Sequence, residues 1–216
     1  MKYPDARLLI LSKAPDPGQV KTRLIPVIGA AGAAELYEGL LCSTLEMAVN
    51  SGLCPVDLWC SPTMAHPFFQ QCRQRYGVEL HEQVQGDLGC RMAHALESAS
   101  QSSRPLVLIG ADCPALSADD LEEAFALLDR GSEVVLGPAE DGGYYLIGMR
   151  GLYPFVFDDV PWSTSTVLDL TRSRLSSRGV KWQCLTPHRD LDTADDYRAW
   201  LESGGNARNR FRPRMT

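Results

Sequence analysis

Lys13, Lys21 and Arg23 stand in one stretch, KAPDPGQVKTRL, directly after the apolar run RLLILS. Two prolines and a glycine are enough to turn a chain; three cations are not needed for that. Gly18 would let backbone N–H groups come close to a ligand. An extended Lys21-Thr22-Arg23 would aim both cations to one side, which suits a diphosphate or triphosphate. The GxxxxGK[ST] phosphate loop is absent, and a solvated turn explains the same residues about equally well. A second segment, LVLIGADCPAL, puts Asp112 at the end of the most apolar run in the chain. A bare charge is costly there, and a single carboxylate at a strand end suits a divalent cation such as Mg²⁺ that also holds phosphate oxygens. A local turn bond by Asp112 is the plainer alternative. In HRDLDTADDY, Asp190 and Asp192 alternate with Leu191, so an extended backbone turns both carboxylates one way. Two such charges repel unless a cation sits near them. Helix capping by Thr193 and Asp196 accounts for the rest of that segment but not for Asp190.

Two further segments carry weaker signals. GPAEDGGYYLIG places Asp141, Gly142 and Gly143 between two strands, as a hairpin turn or as a substrate-binding turn. QGDLGCRM places Gly86, Asp87 and Arg91 at a helix start, where Asp87 can cap and where an anion could bind. Trp162 and Ser163, in PWST, could border an acceptor, although packing and capping explain them well. His66, His81, His94 and His188 have no ligand spacing. Absence of GxSxG removes support for a hydrolase triad, and absence of GxGxxG weakens a dinucleotide-dependent oxidoreductase.

These residues need elements to hold them. ARLLILS, PVDLWCS, VELHEQ, RPLVLIGADCP and VKWQCLTP read as strands, and SEVVLGPAEDGGYYLIGMR as two strands around a turn. Helical spacing runs through AAGAAELYEGLLCSTLEMAVNSG, HPFFQQCRQRYG, the segment from about Leu88, SADDLEEAFALLDRG, STSTVLDLTRSRLSSRG and TADDYRAWLESG. The alternation implies an α/β fold with a mostly parallel sheet, in which ligands sit outside the carboxyl ends of the strands. KAPDPGQVKTRL, GADCP and RDLDT all fall at such ends, and their convergence is the main functional signal.

The chain has 216 residues with a net charge of -6, against the basic field of a nucleic-acid binder. Its seven cysteines are odd in number and lack a CxxC pair, so neither a disulfide framework nor a zinc site is expected. No signal peptide and no run of membrane-span length is read, which gives an expected cytoplasmic location. Residues 1–203 are expected to form one domain, and the basic tail 204–216 to be disordered.

In order, KAPDPGQVKTRL, QGDLGCRM, IGADCPAL, GPAEDGGYYLIG and DLDTADDY resemble a bacterial family of GT-A-type transferases in the nucleotide-diphospho-sugar transferase superfamily, often labelled glycosyltransferases. They are also similar to the guanylyltransferases that make phospholactate-type precursors of deazaflavin cofactors. The likeness extends to about Leu201. It implies a three-layer α/β/α sandwich with a mostly parallel sheet, a nucleotide on the first βα loop, and a divalent metal, Mg²⁺ or Mn²⁺. Carried over, Asp112, Asp190 and Asp192 would hold the metal, with Lys21 and Asp112 as the catalytic pair. Lys21 and Arg23 would hold the nucleotide's phosphates; with the readings of the loops and turns above, Lys13, Gly18, Gly86 and Arg91 complete the expected nucleotide-binding set, and Asp141, Gly142 and Gly143 are the expected acceptor-binding residues. Ala111 within GADCP and the EDGGYY segment depart from the guanylyltransferase pattern. The expected reaction is nucleotidyl transfer from an NTP to a small phosphorylated acceptor. Glycosyl transfer from a nucleotide sugar is the alternative, and a nucleotide-sensing protein without turnover the alternative of another class. A homodimer is compatible with all three.

Overall fold

The run LVLI forms the middle of the sheet because both of its faces are apolar: Val107 and Ile109 enter one hydrophobic cluster, Leu106 and Leu108 the other. The computed structural model describes residues 1–102 and 104–205. In chain order it has β1 (Arg7–Lys13), α1 (Ile25–Asn50), β2 (Val56–Ser61), α2 (Pro67–Tyr76), β3 (Glu79–Glu82), α3 (Leu88–Ala99) and β4 (Leu106–Ile109). Then follow α4 (Ala118–Asp129), β5 (Val134–Pro138), β6 (Tyr144–Met149), α5 (Val167–Ser177), β7 (Trp182–Cys184) and α6 (Ala194–Glu202). Seven strands make one sheet in the order β3-β2-β1-β4-β6-β5-β7. All neighbours are parallel except β6, which runs antiparallel to both β4 and β5. Helices α1, α2 and α4 cover one face through Leu41, Phe69 and Phe125. Helices α3 and α5 cover the other through Leu96 and Leu175. The expected sandwich is therefore the observed one.

Local chemistry sets the element ends. Ser117 caps α4 with Asp120 in a reciprocal box, and Thr193 caps α6 with Asp196 in the same way. Asp87 caps α3 by accepting from the Cys90 N–H. Helix α1 breaks at Gly29, where φ 74° and ψ 165° are non-helical: a short turn with Pro26 near its start comes first, and the continuous helix begins at Ala30, where the sequence places it. With the 3₁₀ turn before it, this helix (residues 22–50) is long and apolar enough to cross a membrane by length and composition, contrary to the expectation that no run has membrane-span length. Leu36, Leu40, Leu41 and Leu45 are buried within the fold, and that role accounts for the apolar run. From residue 206 the basic tail lies outside the described residues.

The β5–β6 turn depends on Gly142, at φ 91°, where a Cβ would lie 2.1 Å from the Ser165 carbonyl oxygen. Gly142 in turn accepts from the Leu168 N–H at 2.9 Å, so the turn and the start of α5 hold each other. Gly142→Ala should destabilise the protein by about 2 kcal/mol or more, from the positive φ together with backbone displacement. A thermal melt reads this as a fall of several degrees; an unchanged melt would mean that the turn tolerates a side chain.

Candidate active site

Six parallel strands end at one edge, and a cleft of about 540 Å³ opens above it. Its lining includes Lys13, Lys21, Arg23, Arg91, Asp112, Asp141, Asp190 and Asp192. That volume suits a nucleotide-sized ligand.

The loop after β1 is fixed from three directions. Lys13 donates its backbone N–H to the buried Tyr37 hydroxyl of α1 at 3.0 Å. Gln83, just past β3, donates through Nε2 to the carbonyls of Ser12 and Trp59 at 2.8 and 2.7 Å. His66 accepts the Phe68 N–H at Nδ1, so its Nε2 is assigned as the donor to Asp16 at 3.3 Å, tying the loop to α2. Neither Tyr37 nor Gln83 belongs to a sequence motif. A polar residue directly after an edge strand is the one local hint of Gln83; Tyr37 gives none.

Lys21 is not in extended chain as expected. It adopts a left-handed conformation (φ 44°, ψ 42°) and starts a 3₁₀ turn through Leu24. This conformation drives its side chain inward, to 4% exposure, where Nζ lies 3.2 Å from Asp112 and 3.7 Å from Asp192. Arg23 stays exposed and pairs with the other Asp192 oxygen at 2.7 Å. Asp112 is brought beside the 190–192 segment by backbone pairing, since its carbonyl accepts the Leu191 N–H at 3.0 Å. Leu191 points away into a cluster with Leu24, Leu36 and Leu40. Gly110 leaves room for the Asp112 carboxylate, which would lie 2.8 Å from a Cβ there.

Asp190 occupies the least solvated position. One carboxylate oxygen, Oδ1, is buried without a hydrogen-bond partner. Burial first, then the charges of Asp112 and Asp141, push its pKa up to about 7, with Lys21 pulling the other way. A buried, unpartnered carboxylate oxygen beside two more carboxylates and a single buried ammonium is a donor set that fits a hard divalent cation. The three carboxylates do not form a tight cluster: among the described residues the one set of three ligand atoms all within 4.8 Å of one another is Asp57, Glu79 and His81. That set lies on β2 and β3 away from the cleft, and Asp57 already faces Arg7 at 3.4 Å.

Of the other expected site residues, Asp141 and Gly143 line the cleft, with Asp141 accepting the Gly143 N–H at 2.8 Å. Gly18, Gly86 and Gly142 lie outside the lining. Gly18 and Gly86 serve turns instead, at φ 83° and 132°. Arg91 reaches the cleft beside Gln83, whose Oε1 it approaches at 3.5 Å. Trp162 lines the far wall, packed so closely on Gly89 that a Cβ there would lie 2.6 Å from the indole Nε1.

Comparison with solved structures gives the same architecture. A protein from Desulfovibrio desulfuricans G20, provisionally assigned as a nucleotide-diphospho-sugar transferase, superposes with a TM-score of 0.85 at 28% identity, over 95% of this chain and 90% of that one. A cytidylyltransferase from Leptospira borgpetersenii matches with a TM-score of 0.59 at 16% identity, over 90% and 84% of the two chains. Rv0371c from Mycobacterium tuberculosis H37Rv, solved in complex with manganese, matches with a TM-score of 0.53 at 19% identity, over 92% and 99%. No curated protein matches the sequence. The fold is that of the nucleotide-diphospho-sugar transferases. Residues 44–164 match the sequence model of a family described as "uncharacterized protein conserved in bacteria (DUF2064)", and the chain belongs to that family.

Proposed function

We propose that the chain is a divalent-metal-dependent transferase that moves a nucleotidyl group from an NTP to a small acceptor. One observation carries the reading: Lys21 and Arg23 face Asp112, Asp190 and Asp192 in a single cleft at the carboxyl edge of the sheet. Manganese in Rv0371c and cytidylyl chemistry in the Leptospira protein support the same combination. Asp112, Asp190 and Asp192 would hold the cation, Mg²⁺ or Mn²⁺, which when bound neutralises phosphate oxygens as a Lewis acid. Arg23, Lys13 and Arg91 would hold the phosphate chain, and Lys21, fixed between the carboxylates and the cleft, would offset charge that develops as the bond breaks. In this reaction the acceptor oxygen bonds to the α-phosphorus, the bond from that phosphorus to the bridging oxygen breaks, and pyrophosphate leaves.

Glycosyl transfer is the second reading, favoured by the description of the Desulfovibrio protein. The same cations would then stabilise a departing nucleoside diphosphate. Pyrophosphate formed from an NTP supports the first reading, and nucleoside diphosphate formed from a nucleotide sugar the second.

Lys21→Ala and Arg23→Ala should each weaken nucleotide binding, by about 1.5–3 kcal/mol for a lost charge-assisted bond, or roughly ten- to hundred-fold. Arg23 is exposed, so its variant should melt like the wild type. Calorimetric titration with NTP and Mg²⁺ reads both; wild-type affinity in both variants would reduce the loop to a turn.

A further inference from the structure

The cleft is electrically one-sided. Its four lining cations, Lys13, Lys21, Arg23 and Arg91, belong to β1, the loop after it and the start of α3. On the other side of β4 from β1 the wall is built by the β5–β6 turn, the first residue of β6 and the segment before α5, whose Trp162 reaches back to Gly89 of α3. Asp141, Tyr144, Trp162, Ser163 and Thr164 line it, and among the described residues no lysine or arginine does. We infer that this wall receives an uncharged, hydroxyl-bearing acceptor of the sugar or polyol class and rejects the phosphorylated acceptor expected from the sequence. The inference rests on the reading above that the cationic wall takes the nucleotide's phosphates.

A phosphate on the far wall would sit beside Asp141, with Asp190 beneath, and would meet no cation among the residues that line it. Like charges this close oppose binding, and a bound divalent ion would already be shared with the nucleotide. A hydroxyl meets the reverse situation. Oδ1 of Asp141 is engaged by the Gly143 N–H, while Oδ2 has no hydrogen-bond partner among the described residues and can accept from a ligand hydroxyl. The exposed Ser163 can exchange hydrogen bonds with a second hydroxyl, and Thr164 Oγ1, which donates to the Pro161 carbonyl at 2.7 Å and lies 3.0 Å from Thr166 Oγ1, has acceptor capacity left for one more.

The aromatic part of the wall is held rigid. Trp162 packs on Gly89 on one side, stacks near Phe157 at 6.4 Å and meets Tyr144 edge-on at 6.4 Å. A fixed aromatic surface bordered by hydroxyls and one carboxylate offers a sugar or polyol an apolar contact beside polar partners. Transfer would join the acceptor hydroxyl oxygen to the α-phosphorus as pyrophosphate leaves, and the hydroxyl proton would pass to water.

The test uses full-length protein loaded with NTP and Mg²⁺, after a thermal shift has verified that loading. Failure to load would remove the proposed function itself, before the acceptor is questioned. Loaded protein is titrated with matched pairs: glucose and glucose 1-phosphate, mannose and mannose 1-phosphate, glycerol and glycerol 3-phosphate. Binding is read from tryptophan fluorescence and from a further thermal shift. At least one unphosphorylated member should bind ten-fold or more tightly than its phosphate ester, and Asp141→Lys should reverse that preference. Trp162→Phe should remove the fluorescence response while keeping the order of preference. Esters that bind wild type as well as or better than their partners, or a panel in which no unphosphorylated compound binds, would overturn the inference.

Discussion

Asp112→Asn should abolish the metal dependence of nucleotide binding and lower turnover by about 10²–10³-fold, the scale on which a lost electrostatic contact at a reacting phosphate is felt. Asp112 follows the central strand, so its carboxylate is aimed by the sheet rather than by a mobile loop. It contacts Lys21 at 3.2 Å and acts on Asp190 as a neighbouring negative charge. Asparagine keeps the shape and loses the charge that a hard cation requires. Stability should change little, because the Asp112 side chain is half exposed and buried Lys21 keeps Asp192 as a partner at 3.7 Å. Nucleotide affinity measured with and without Mg²⁺ checks this. A variant that still responds to Mg²⁺ like wild type would place the metal elsewhere.

The second large effect is a proton that must leave when metal enters. Asp190 titrates near pH 7 because it is buried beside Asp112 and Asp141. An unfolded aspartate titrates near pH 3.9, so between about pH 4 and 7 the folded chain binds the extra proton. Stability of the metal-free protein should therefore fall as pH rises through that window, and the loss should be complete above about pH 7. Metal binding runs the other way: below about pH 7 the cation must displace the Asp190 proton, so its apparent affinity should drop by up to about ten-fold per pH unit. The thermal shift produced by Mn²⁺ should be larger at pH 8 than at pH 6, and Asp190→Asn should flatten the difference. Equal shifts at both pH values in wild type would mean that Asp190 does not take part.

Much of the fold is legible along the chain because its signals are local. Ser117 and Asp120 start a helix by direct hydrogen bonds, and Val107 to Ile109 are apolar on both faces whatever surrounds them. Leu191 alternates with Asp190 and Asp192, which turns it away from their carboxylates, and it packs in the core. Features without a local signal depend on partners far away in sequence. A lysine in a proline-rich loop is ordinarily solvated. Lys21 is buried because a left-handed backbone turns it toward Asp112, which follows β4, the strand beside β1 in the sheet but distant in sequence. Pro26 and Gly29 mark a turn in isolation, and the backbone does break at Gly29; the short helical turn ahead of that break has no signal of its own in the sequence. Gly18 and Gly86 look like ligand-approach glycines in the sequence, yet the positive φ that they supply serves the chain's own turns outside the cleft. The contact of Trp162 with Gly89 has no local signature at all.

Binding of Mn²⁺ followed by electron paramagnetic resonance is the most direct measurement of where the cation goes. Wild type, Asp112→Asn and His81→Ala are each titrated at pH 8 with and without an NTP, the last because Asp57, Glu79 and His81 form the tightest alternative set among the described residues. The cleft site requires that wild type and His81→Ala bind Mn²⁺ alike, more tightly when the NTP is present, and that Asp112→Asn loses that binding. Loss in His81→Ala with retention in Asp112→Asn would contradict it.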